Sequence, residues 1–160
     1  MPSILIVYYS RSGNTEKLAE AVAEGARSVD GVEVELKAAG QISVDELLEP
    51  DGIIMGSPVY FGTMAAELKQ LIDESVKHFG KLEGKVGGAF TTSGAEHGGN
   101  ETCVLDITKA LMIHGMIVKG RTASSHYGAI AVGAPDEQAL EEGRAYGKDV
   151  AELVLKLAGC

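Results

Sequence analysis

Ile4-Leu5-Ile6-Val7-Tyr8-Tyr9-Ser10-Arg11-Ser12-Gly13-Asn14-Thr15 passes without a break from an apolar run into a turn rich in hydroxyls. Its first six residues are β-branched, aliphatic or aromatic with no polar alternation, the pattern of a strand buried on both faces. Beyond the turn, Leu18, Val22, Ala26 and Val29 recur at helical spacing, which predicts a helix from Thr15 to about Val29. A doubly buried strand needs cover on both sides, so the rest of the chain should supply more helices and more strands of the same kind.

It does. Val32-Glu33-Val34-Glu35-Leu36 alternates strictly, as expected of a strand with one wet face at a sheet edge. A short helix is predicted over Val44 to Leu48, and Ile53-Ile54-Met55 forms the third strand. Leu68, Leu71, Ile72, Val76 and Phe79 make the stripe of another helix. Val86 to Phe90 is the fourth strand, where Gly87 and Gly88 invite close approach of a helix. Asn100 is a candidate N-cap for a helix carrying Val104, Leu105, Thr108, Leu111 and Met112. Met116-Ile117-Val118 is the fifth strand. A final helix follows Pro135, its stripe including Leu140, Gly143, Gly147, Val150, Val154 and Leu157, with both glycines expected to face the sheet. Five strands alternating with five helices specify an α/β fold: a doubly wound five-stranded parallel sheet, order 2-1-3-4-5, helices on both faces. Residues 1–160 are expected to form one domain.

Composition narrows the function. The 160 residues are 45% apolar and 23% charged, which suits a folded chain with a real core. The longest apolar run is too short to span a bilayer, and no secretory signal is expected. A net charge of −9 argues against non-specific nucleic-acid binding and permits docking to a basic partner protein. Cys103 and Cys160 form no CxxC pair and no zinc set, and the expected compartment is the reducing cytoplasm.

In a doubly wound sheet, ligands sit beyond the strand C-termini at the switch point between strands 1 and 3, which narrows the search to three loops. In the first, Ser10 to Thr15 leads straight into a helix N-terminus. The free N–H groups and positive dipole end there suit an anion. Ser10, Ser12, Asn14 and Thr15 add short donors, Arg11 adds a cation, and Gly13 lets the backbone curl. The plainer alternative is an ordinary capped turn with Ser12 or Asn14 as N-cap. No lysine of a nucleotide P-loop is present, no Gly-x-Gly occurs, and a G-x-S-x-G elbow is missing. A phosphate held mostly by neutral donors, as in a flavin mononucleotide site, is what remains.

The second loop, Pro58-Val59-Tyr60-Phe61-Gly62, sets two aromatic rings beside a glycine, a wall suited to a flat apolar ring, although either ring could equally pack inward or against another subunit. In the third, Thr92-Ser93-Gly94 continues to Gly98-Gly99, offering backbone groups to a pyrimidine edge or serving only as hinge and turn. Ser93 has no recognisable histidine base, so a hydrolase is disfavoured. Cys103 reads as a small buried hydrophobe or as a thiol at a helix N-terminus.

Tyr8 to Thr15 resembles the FMN phosphate loop of the flavodoxin-like family. Gly56-Ser57-Pro58-Val59-Tyr60-Phe61-Gly62-Thr63-Met64 is similar to the second flavin loop of WrbA-type NAD(P)H:quinone oxidoreductases, and His114-Gly115-Met116 and Tyr127-Gly128-Ala129 extend the match. The stretch from Val118 to His126 is trimmed relative to that pattern, and Ala95 to Asn100 fits it loosely. The resemblance implies FMN as cofactor, NAD(P)H as electron donor and a quinone or other small molecule as acceptor. It also implies a homo-tetramer or homo-dimer in which His114 lies near the flavin of a neighbouring subunit. Binding residues only are expected, with no catalytic acid or base and no metal. The alternative is a flavodoxin that carries single electrons between redox proteins. Absence of Phe, Tyr or Trp between Thr91 and Asn100 leaves one ring face open, which favours the two-electron reading.

Overall fold

A computed structural model describes residues 1–123 and 125–159; Cys160 lies outside the described residues. The strands are β1 (Ser3–Tyr8), β2 (Glu33–Ala38), β3 (Gly52–Tyr60), β4 (Thr63–Met64), β5 (Val86–Ser93), β6 (Ile117–Val118) and β7 (Ala129–Val132). The α-helices are α1 (Asn14–Arg27), α2 (Ala66–Glu74), α3 (Asn100–Ile113) and α4 (Glu137–Ala158).

Strands β2-β1-β3-β5 lie in that order and pair in parallel, with half-exposed β2 at the edge its alternation demands. Period-two alternation divides the core between the two faces. Ile4, Ile6 and Ile54 pack under α1 and α4, while Leu5, Val7, Ile53 and Met55 pack under α2 and α3.

Three expectations change. The segment Val44–Leu48 is a 3₁₀ helix, opened by a capping box in which Ser43 and Glu46 exchange hydrogen bonds, so four α-helices rather than five cover the sheet. The fifth strand position is shared. β6 pairs Val86 and Gly87, the chain then leaves the sheet, and β7 returns to pair Phe90 to Ser93. Between them the Ala89 N–H donates to the buried Tyr146 hydroxyl (2.8 Å), which stands in for a missing strand. The excursion is anchored by Arg121, whose side chain bonds Asp149 (2.8 Å) and Glu142 (3.1 Å) on α4.

Third, Gly143 and Gly147 face α1, not the sheet. A Cβ on Gly147 would lie 1.9 Å from the Val22 carbonyl oxygen, and one on Gly25 of α1 would lie 1.8 Å from that of Arg144. Two helices on the same sheet face thus cross backbone to backbone, which only glycine permits. Gly87 and Gly88 do receive helix side chains, Leu111 and Tyr146 respectively.

The crossing predicts opposite outcomes for two similar changes. In Gly147→Ala the clash is with backbone, so it outweighs the ~1 kcal/mol helix-propensity gain and the net loss is about 2 kcal/mol or more. At Gly143 a Cβ would meet the movable Leu18 Cδ1 end at 3.0 Å and the Ala21 Cβ at 3.3 Å, with no backbone atom nearer than 3.7 Å, so Gly143→Ala stays within ~1 kcal/mol of the parent. Urea unfolding of both variants checks the contrast.

Candidate functional site

The registers bring three strand ends together. Tyr8 lies opposite Gly56, Gly56 opposite Phe90, and Pro58 opposite Thr92, so the loops after β1, β3 and β5 open on one edge. Strand β3 continues through Ser57-Pro58. Its pairing with β1 has ended at Gly56, so the missing proline N–H faces an edge that needs no donor.

The first loop is an uncapped helix start. Gly13 (φ 94°) is the N-cap, in place of Ser12 or Asn14, and no side chain bonds the first-turn N–H groups. Ser10 is turned inward, its hydroxyl accepting from the Gly13 N–H (3.1 Å), whereas Arg11 and Ser12 are exposed. Asn14 is half-buried. Thr15 is buried and its hydroxyl meets that of Thr92 at 2.7 Å, tying the first loop to the end of β5. Tyr8 donates to Glu16 (2.8 Å); burial and that carboxylate push its phenol up to about 12. Desolvation and a bond to Glu67 likewise raise Tyr9, which stands edge-on to Tyr60 with ring centroids 6.5 Å apart.

The second loop is a two-residue hairpin. Val59 pairs Met64 and Tyr60 pairs Thr63, leaving Phe61 (φ 49°) and Gly62 (φ 82°) as the turn, both with the positive φ of a type I′ connection. The Phe61 ring is fully exposed, so within this chain it does not pack inward. Pro58, Val59 and Tyr60 are half-buried beneath it.

The third loop is held at its mouth by Asn100. Its buried amide donates to the Ser93 hydroxyl (2.6 Å) and accepts from Thr91 (3.3 Å), while Ser93 donates to the Ala95 carbonyl (2.8 Å). The N-cap of α3 is Gly99 (φ 104°), not Asn100. Gly94 and Gly98 stand exposed, and Gly99 touches the second loop, since a Cβ there would lie 2.8 Å from the Gly62 Cα. An open cleft of about 540 Å³ runs beside this loop, lined by His97, Asn100, Thr102, Ile130 and Val132 among others. His126 Nδ1 lies 3.0 Å from the Arg121 carbonyl, outside that lining. Cys103 is fully buried and burial pushes its thiol up to about 12, the hydrophobe of the two readings.

Every expected loop residue therefore reaches this edge, and His114 does not. It caps the opposite end of α3, roughly 20 Å from Asn100 by helical rise. It is buried, and its Nε2–H donates to Ser75 (2.7 Å), whose hydroxyl in turn donates to the Ile72 carbonyl. The place implied for His114, beside the flavin of a neighbouring subunit, concerns a contact between chains and not within this one. The sequence reading missed Asn100 as a loop clasp, and also missed Thr102 and Asp106, which bond the second loop (Thr102 Oγ1 to the Gly62 carbonyl, 3.0 Å; Thr63 to Asp106, 2.7 Å). Among the described residues no group of three or more His, Cys, Asp or Glu could hold a metal, and no helix is long and apolar enough to cross a membrane.

An uncapped helix start with free N–H groups, an exposed aromatic turn and a glycine-rich loop on one sheet edge define a flavodoxin-like α/β protein. The similarities agree. The chain is 29% identical to a WrbA-like flavodoxin from Agrobacterium tumefaciens whose crystal structure superposes with a TM-score of 0.83, covering 98% of this chain and 99% of that one. It is 38% identical to an NAD(P)H dehydrogenase (quinone) of Archaeoglobus fulgidus (98% of this chain, 100% of the relative) and 38% identical to a flavodoxin of Aquifex aeolicus (96% and 88%). The first of those alignments spans 191 positions, more than this chain possesses, so that relative carries extra residues. Residues 2–129 match the model of the NADPH-dependent FMN reductases, and the chain belongs to that family of flavin oxidoreductases.

His114 gives a pH prediction. Burial and the nearby His78 hold its pKa below 6.5, so the unfolded chain takes up the proton first. The stability this contributes is complete above about pH 6.5 and is lost as pH falls toward the folded value. His114→Gln keeps a donor for Ser75 and removes the titration, so its stability falls less than the parent's between about pH 6.5 and pH 5. Urea unfolding across that range measures it.

Proposed function

We propose that this chain is an FMN-dependent oxidoreductase that passes two electrons from NAD(P)H to a quinone-type acceptor. The observation that carries it is the uncapped first turn of α1 at the switch between β1 and β3, within a chain of the FMN reductase family. The residues present fit the cofactor. First-turn N–H groups with no side-chain acceptor, the hydroxyls of Ser10 and Ser12 and the Arg11 cation suit a dianionic phosphate, and Gly13 leaves open space above it. Asn14 and Thr15 complete that loop. Pro58, Val59, Tyr60, Phe61 and Gly62 would flank the ring, and Thr92, Ser93, Gly94, Gly98 and Gly99 would border its polar edge. When bound, FMN supplies the hydride acceptor and two-electron donor. The net reaction is NAD(P)H, a proton and a quinone giving NAD(P)⁺ and the hydroquinone.

The protein's part is positional. Thr15 and Thr92 fix the first loop to β5, and Asn100 fixes the third. Tyr9 and Tyr60 wall the space between the first two loops. The reading extends to a homo-tetramer or homo-dimer in the cytoplasm. Exposed Val76, Phe79, Met112 and Ile113 around His114 support the association, and free Cys103 suits the reducing compartment. His114 would then serve across the interface.

Anaerobic titration with NADH and NADPH, followed by a benzoquinone, tests the reaction. The flavin band should bleach with a nucleotide and return with the quinone. Single-electron reduction with no turnover by either nucleotide would instead identify a carrier that docks redox proteins, the role the name of the Aquifex relative denotes. Ser12→Asp puts a like charge against the phosphate and should weaken FMN by more than about tenfold without lowering the apoprotein's unfolding midpoint. Unchanged affinity would overturn the phosphate assignment.

A further inference from the structure

Strand β4 has only two residues, and its hairpin with β3 contains two residue pairs. So small a hairpin does not hold its own shape in water. What holds it is one face of α3. Thr102 and Asp106, one helical turn apart, bond successive residues of the hairpin: Thr102 Oγ1 donates to the Gly62 carbonyl (3.0 Å), and Asp106 accepts from the Thr63 hydroxyl (2.7 Å). The Thr102 proton is shared with the Gly99 carbonyl (2.9 Å), so one hydroxyl joins the second loop to the third. Lys109 pairs with Asp106 (2.7 Å) and, with the Thr63 bond, holds that carboxyl below its usual range. Gly99 closes the contact by abutting the Gly62 Cα. The tip residue Phe61 is exposed, but the carbonyl that follows it is committed to α3.

From this we propose that Thr102 is a positioning residue that selects two-electron over one-electron flavin chemistry by keeping the Gly62 carbonyl engaged. The proposal rests on the flavin reading above. Oxidised flavin N5 is a hydrogen-bond acceptor and becomes an N–H donor only once it gains an electron and a proton. A loop carbonyl free to turn toward that N–H favours the singly reduced state. A carbonyl already accepting from Thr102 has to break that bond first. The clasp thus withholds the stabilisation a carrier would need, while leaving the turn preformed for the ligand.

The test uses Thr102→Val, which keeps the shape and deletes the hydroxyl, and Thr102→Ser, which restores it. In the flavin-free protein, amide exchange across Phe61–Met64 should quicken about fivefold in the valine variant, the factor that one hydrogen bond of ordinary net strength gives, and return to the parent rate in the serine variant. In the FMN-loaded protein, photoreduction at equilibrium should show the singly reduced fraction rising severalfold in the valine variant alone. Unchanged exchange would show that the clasp does not hold the turn, and quickened exchange with an unchanged singly reduced fraction would show that it does not select the electron number. Either overturns the proposal. A parent protein that takes up no FMN would refute the flavin reading, while the exchange measurement would still report on the clasp.

Discussion

A parallel sheet buried on both faces leaves its chain little choice about where polar groups can go. β1, β3 and β5 are apolar on both sides, and the helices that cover them press backbone against backbone at Gly25 and Gly147. Loops at the strand C-termini are where unpaired N–H and C=O groups can collect without costing core stability. At the switch between β1 and β3, one chain path leaves toward α1 and the other toward α2, on opposite faces. The opening between them is a consequence of topology. Its contents are a consequence of sequence.

How much could be read from the sequence follows from the range of each interaction. Doubly buried strands, the wet edge strand and the helical stripes are local patterns, and Ile4 to Tyr9 with Val32 to Leu36 declare them within a few residues. The three loops follow, because each is the polar stretch after a legible strand. Strand β7 was legible too: Ala129-Ile130-Ala131-Val132 sits between Gly128 and Gly133 like a short strand between breakers, but Met116 to Val118 had already filled the fifth position. The direction of Gly143 and Gly147 was not legible, since a glycine in a stripe says that something comes close and not what. His114 shows the same limit. A motif carries its match along the sequence, whereas burial against Ser75 depends on residues 39 positions away.

Pairings between side chains distant in sequence were the least legible part of the site. Thr15 with Thr92 spans 77 positions, and Thr63 with Asp106 spans 43. Each partner is a common surface residue type with no spacing rule to betray it. Asn100 misled in a more instructive way. Asn before a helical stripe is a good N-cap, but left-handed Gly99 takes that place, which frees the Asn100 amide to bridge Thr91 and Ser93.

Those long-range pairings determine what is left for a ligand. The hydroxyls of Ser10, Thr15, Ser57, Thr91, Thr92 and Ser93 and the amide of Asn100 all have partners within the protein. Among the described residues, the buried side-chain atoms without a partner are His78 Nδ1, Thr108 Oγ1 and His114 Nδ1, and none lies in the three loops. The loops are therefore satisfied internally and hold their shape before anything binds. What they present outward is the first turn of α1, with its N–H groups uncapped, and beside it Arg11 and Ser12 in solvent. Donors that are fixed in advance and have no competing acceptor bind an anion without first giving up bonds of their own. Under the proposed function, those donors would face the phosphate at one end and the exposed aromatic turn would flank the flat ring at the other. On the proposed reading the protein's part is positional, and the redox chemistry belongs to the bound flavin.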